Sequence, residues 1–135
     1  FPWGSTAPDQ TRGNFCGVEC GRAHSGWSMM PGVGDDSFPE TAPVGSFLAG
    51  NSPFGVKDMA GNVWEWVADG YRDYRSNSGT NIPVDPLVVD GTSRVLRGGG
   101  WVSREVVWAR AGSRSDYIPV NWIGNGGARC ARGGS

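Results

Sequence analysis

Along most of this chain, polar and apolar residues alternate too irregularly for any long element. Through residues 1–53, Pro, Gly, Ser, Asn and Asp recur every few positions, and no helical period is sustained. Thr41-Ala42-Pro43-Val44-Gly45-Ser46-Phe47 is a short extended candidate within that stretch. The clearest pattern follows at Val63-Trp64-Glu65-Trp66-Val67-Ala68. There Val63, Glu65 and Val67 alternate with Trp64, Trp66 and Ala68, a period of two that predicts a strand. Asp58-Met59-Ala60-Gly61-Asn62 reads as the turn leading into it, with a weak helix candidate around 58–61. Further strands are expected at Arg94-Val95-Leu96-Arg97, at 106–111 and at 128–132, with loops over 76–92 and 115–127.

Composition sharpens this picture. The 135 residues form one domain at most and are long enough to bury a core. Gly at 23 and Pro at 9 indicate many turns, and seven Trp argue against disorder. The expectation is a loop-rich fold with a core of a few large aromatics. Net charge is −1, so nothing here draws nucleic acid or an anionic membrane, and no apolar run approaches a membrane span. Eleven of the 12 basic residues are Arg, a residue suited to tying loops together through bidentate pairs.

Three cysteines, Cys16, Cys20 and Cys130, leave one without a partner in the chain. Zinc needs four ligands, and only His24 and a distant Cys accompany the Cys16-x3-Cys20 pair. A local Cys16–Cys20 bridge, or bridges to another segment, fits better and suits an oxidising, extracytoplasmic compartment. Gly98-Gly99-Gly100 lacks the lysine and helix of a phosphate loop and reads as a structural turn. No nucleophile elbow is present.

Five blocks occur in a recognisable order: Phe1-Pro2-Trp3-Gly4, Thr41-Ala42-Pro43-Val44, Asp58-Met59-Ala60-Gly61-Asn62-Val63-Trp64-Glu65-Trp66, Arg94-Val95-Leu96-Arg97-Gly98-Gly99-Gly100-Trp101 and Ala128-Arg129-Cys130-Ala131-Arg132. Together they resemble the formylglycine-generating enzyme, or sulfatase-modifying factor, family. The resemblance implies an α+β, irregular, loop-rich C-type-lectin-like fold with short antiparallel strands and little helix. It also implies a single domain over 1–135 that lacks the family's usual N-terminal segment: either the chain was cut, or a second chain supplies the rest, or the fold is pared down.

Two calcium ions are implied as well. One is assigned by the resemblance to Asp58, Gly61, Val63 and Glu65, with side-chain oxygens from the acids and carbonyls from the other two. The alternative is that Asp58 caps a turn and Glu65 pairs with an arginine. The other calcium is assigned to Asn14, Phe15, Asp36 and Phe38, the alternative being ordinary loop polarity. Calcium takes six to eight oxygens, and such an ion would order loops poor in apolar contacts.

The family's catalytic cysteines bind copper. Aligned on Arg110-x-x-x-Arg114, they fall near Val106 and at Ala111, so the soft thiolates that copper(I) selects are missing. The resulting expectation is no copper, no enzyme activity, and a calcium-stabilised recognition domain. Its protein or glycan partner would meet the 102–127 surface at Arg104, Tyr117, Asn121, Trp122 and Asn125, residue types common in binding hot spots. Trp101 and Trp108 are placed inside. The competing expectations are a structural or accessory subunit completing its fold on another chain, and a divergent formylglycine-generating oxidase whose metal ligands come from elsewhere.

Overall fold

The computed structural model describes residues 1–72, 87–121 and 123–130. Four short strands form one sheet: β1 (Trp64–Gly70), β2 (Arg94–Arg97), β3 (Ser115–Tyr117) and β4 (Gly126–Ala128), in the order β3-β2-β1-β4. β1 pairs antiparallel with β2 through Glu65↔Arg97 and Trp66↔Leu96, and an irregularity then shifts the register to Gly70↔Arg94. β2 pairs antiparallel with β3, whereas β4 runs parallel to β1. The sheet is therefore mixed, where wholly antiparallel strands were expected. One short helix, α1 (Val18–Ala23), precedes it. This is an irregular α+β domain with little helix.

Several expected elements are corrected. Val106–Ala109 is a 3-10 turn and not a strand, held by Trp108 N–H to Glu105 C=O at 3.1 Å and Arg110 N–H to Val107 C=O at 3.1 Å. Its apolar residues serve a three-residue repeat: Val106 and Ala109 face the core while Val107 is exposed. The 58–61 segment is no helix, because Asp58, Gly61 and Asn62 adopt left-handed φ of 53°, 86° and 64°. No strand forms at 41–47. β3 lies inside the stretch read as loop, and the last strand begins two residues early, at Gly126. Residues 131 and 132 lie outside the described residues.

The core is less aromatic than expected. Phe15, Met30, Val33, Ala60 and Ala109 form it, with Phe1, Trp3 and Val106 packed alongside. Trp64 is buried and meets Trp108 edge-on at 5.6 Å, but Trp101 and Trp108 are half-buried and Trp27 is exposed. The indoles thus rim a small core and exclude water from its edge. Arginines tie the loops together as anticipated. Arg97 donates to the carbonyls of Ala111 and Ser113, and Arg94 to those of Val89 and Gly91. Cys16 and Cys20 are joined in a disulfide, and the remaining cysteine, Cys130, is free and exposed. Among the described residues no helix is long and apolar enough to cross a membrane.

Candidate functional site

The turn before β1 holds the molecule together. At Gly61 an added Cβ would sit 2.6 Å from the Asn14 carbonyl oxygen, so only glycine allows the two segments to touch. Backbone hydrogen bonds then run across three segments: Asn62 N–H to Asn14 C=O at 2.8 Å, Gly61 N–H to Gly98 C=O at 2.9 Å, and Trp101 N–H to Asn62 C=O at 2.8 Å. Cys16 N–H to Ser103 C=O at 3.2 Å closes the set. Asn62 also uses its side chain as a substitute strand partner. Its Oδ1 accepts from Ala42 N–H at 2.8 Å and its Nδ2 donates to Ala42 C=O at 3.0 Å.

Asp58, Gly61, Val63 and Glu65 line one cleft of about 310 Å³, which Lys57 and Arg129 share. Arg129 closes it. Its Nε donates to both Glu65 carboxylate oxygens at 3.1 and 3.0 Å, and its Nη2 donates to Glu65 Oε1 at 2.7 Å. It also donates to the carbonyls of Lys57 and Asp58, both at 2.8 Å. The Glu65 carboxylate, against the opposing effect of burial, raises the Arg129 guanidinium above its ordinary value. Asp58 Oδ2 accepts from Gly45 N–H at 2.6 Å. Both acids therefore have protein partners, and a cation here would share Glu65 with a guanidinium. The pairing of Glu65 with an arginine, the alternative the sequence offered for this cleft, is what the structure shows, and the partner, too distant along the chain to be named from sequence, is Arg129.

The other oxygen-rich place is different. Asn14 is 1% exposed, Glu19 8% and Asp36 9%, and one oxygen of each, Asn14 Oδ1, Glu19 Oε1 and Asp36 Oδ2, is buried with no hydrogen-bond partner. Buried polar atoms left unpaired are costly and rare in native proteins. Asp36 Oδ1 accepts from Phe38 N–H at 2.8 Å, Glu19 Oε2 accepts from Asp36 N–H at 3.2 Å, and Asn14 Nδ2 donates to Glu40 C=O at 2.6 Å. Burial, ahead of the neighbouring Glu19 and Asp35 charges, pushes the Asp36 carboxyl up to about 7, against the Phe38 amide. Phe15 is fully buried, and Phe38 meets Phe47 edge-on at 6.2 Å. Buried acceptor oxygens without a protein partner are the kind of ligand a hard cation takes. Among the described residues no three His, Cys, Asp or Glu side chains gather around one point, so a cation here would need neutral oxygens besides acids. Glu19 was missed by sequence reasoning. Its position between two cysteines is the only signal that could have drawn attention to it.

The thiolate pair that copper(I) requires is not offered by this chain, since Cys16 and Cys20 are bonded to each other and Cys130 stands alone. The five residues expected to bind a partner have different neighbours. Arg104 is exposed, with its guanidinium 5.8 Å from the Trp27 ring, and Tyr117, 37% exposed, meets Trp66 edge-on at 6.4 Å. Asn121 lies in an exposed turn, donating to Ile118 C=O at 3.0 Å. Asn125 is half-buried in the turn just before β4, and its carbonyl accepts from Trp64 N–H at 2.8 Å. Trp122 lies outside the described residues.

A small mixed sheet, loops braced by arginine, and little helix make this an irregular α+β domain. Residues 1–133 match the sulfatase-modifying factor enzyme 1-like domain, and the chain belongs to that family. It is 30% identical over 135 residues to the formylglycine-generating enzyme of Thermomonospora curvata, covering 97% of this chain and 42% of that protein. It is 32% identical to the hercynine oxygenase of Mycolicibacterium smegmatis over 75% of this chain and 20% of that protein. PvdO from Pseudomonas aeruginosa superimposes with a TM-score of 0.60 at 26% identity, over 87% of this chain and 38% of that one. The chain thus spans less than half the length of these relatives.

The expectation of a protein without enzyme activity is corrected by these relatives, which are named as enzymes, one of them an oxygenase. That expectation rested on Val106 and Ala111 standing where thiolates would bind copper. Their absence bears on one copper mechanism and leaves other oxidative chemistry of the family untouched.

Proposed function

We propose that this chain contributes the cation-braced, substrate-facing part of an oxidase, a divergent relative of the formylglycine-generating enzymes whose redox-metal ligands come from outside these residues. The backbone relay carries this reading. It joins the oxygen-rich segment at Asn14–Cys16 and the Asn62 turn directly to Gly98, Trp101 and Ser103, at the head of the segment to which the resemblance assigns catalysis. Calcium held by the Asn14 and Asp36 side chains, with carbonyls of Phe15 and Phe38, would supply structural order there and no redox chemistry. A second calcium in the Asp58–Glu65 cleft would act beside Arg129.

Arg104 and Tyr117 remain exposed for a protein or glycan partner, now read as the bearer of the substrate. The Cys16–Cys20 bridge supports an extracytoplasmic setting. A second reading, completion of the fold on further polypeptide, is favoured by Phe54, Val44 and Leu48, which are 92%, 87% and 66% exposed.

The test is oxygen uptake by the full-length protein with copper(I) or iron(II), a cysteine-containing peptide and a thiol reductant. Uptake above the metal-only blank is expected with one of the metals. Blank-level uptake with both overturns the oxidase reading.

A further inference from the structure

The three unpaired oxygens do not contribute equally to what a bound ion would meet. Asn14 brings a neutral amide, Asp36 one charge, and Glu19 a second charge. Glu19 is fixed from two sides. It lies between the bridged Cys16 and Cys20, both essentially inaccessible, on the first turn of α1. Its Oε2 is occupied by the Asp36 amide, which leaves Oε1 buried and free. Glu19 accepts one backbone N–H and faces the Asp36 carboxyl; for the backbone bond alone a neutral glutamine would serve without the cost of a buried charge. What a glutamine could not supply is a second negative oxygen beside Asp36.

We propose that Glu19 is a direct carboxylate ligand of the cation held at Asn14 and Asp36, and that it makes this a two-carboxylate site selective for a divalent ion. The inference rests on the calcium reading of that site and adds to it a residue and a charge. Two negative charges beside neutral oxygens balance a divalent ion, whereas a single carboxylate would leave it half compensated in a dry interior. The number of charged ligands is also what tunes calcium affinity in oxygen sites.

The experiment titrates calcium chloride into chelator-stripped protein by calorimetry, alongside thermal unfolding with and without calcium. Glu19→Gln is expected to weaken the site by at least about tenfold. Its calcium-free form should melt no lower than wild type, since the repulsion with Asp36 is relieved. Asp36→Asn should lose the same site. Wild-type affinity in Glu19→Gln, with the site lost in Asp36→Asn, overturns the role of Glu19 and leaves the calcium reading standing. An equal fall in melting temperature with and without calcium marks Glu19 as structural and also overturns the proposal. If wild type shows no calcium binding at all, both readings fail. A crystal structure of wild type soaked in calcium decides independently of variant folding: Glu19 Oε1 at about 2.3–2.6 Å from the ion supports the proposal, and an oxygen outside the coordination shell overturns it.

Discussion

Asp36 is a buried acid whose charge is opposed from two directions. Its ordinary value is 3.8, and burial, with help from Glu19 and Asp35, brings the folded value to about 7. The sign follows from linkage. A carboxyl raised on folding adds stability while protonated, fully below its unfolded value, and loses that contribution as pH rises through the folded one. Calcium-free protein should therefore lose stability between about pH 4 and 7, relative to Asp36→Asn, in thermal unfolding scans with chelator present. Added calcium should abolish the difference in trend. For individual residues, the family resemblance pointed to Asn14, Asp36, Asp58 and Glu65, where the residues alone left turn capping, an arginine pair or ordinary loop polarity open. Glu19 was missed, and an arginine partner for Glu65 was offered without its number, because both contacts join residues distant in sequence: Glu19 with Asp36, and Arg129 with Glu65.

Among the elements, β1 and β2 were legible because each has a strong local pattern, the Trp-Glu-Trp alternation in one and Arg-Val-Leu-Arg in the other. The 106–111 segment misled because four adjacent apolar residues carry no period of their own. Only the core on one side and solvent on the other turn them into a 3-10 repeat. The strands at 115–117 and 126–128 are three residues each and rich in small or polar side chains, so the sheet defines them and not their own sequence. The turn at 58–62 makes a sharper claim. Gly61 combines a φ of 86° with a Cβ direction blocked by Asn14 backbone atoms at 2.6 and 2.9 Å. Gly61→Ala should cost about 2 to 4 kcal/mol, read from the urea unfolding midpoint, through strain and loss of the Asn62–Asn14 bond together.

For the molecule as a whole, the family was legible from five ordered blocks, but the distribution of its tryptophans was not. Composition counts indoles without saying that a core this small can hold only part of their surface. Nor does sequence show that the disulfide, α1 and the unpaired oxygens lie next to one another. That adjacency ties the redox state of two cysteines to the geometry of Glu19 between them.

The bonds linking Asn14, Gly61, Asn62, Gly98, Trp101 and Ser103 have one more consequence. Because each amide in that set is held by a segment other than its own, these segments are expected to open as one cooperative unit. The amide protons of Cys16, Gly61, Asn62 and Trp101 should thus show one shared protection against deuterated solvent once intrinsic rates are divided out, and calcium should raise all four by a common factor. Four unrelated protections would mean that the loops breathe separately and that an ion on one of them is never felt by the next.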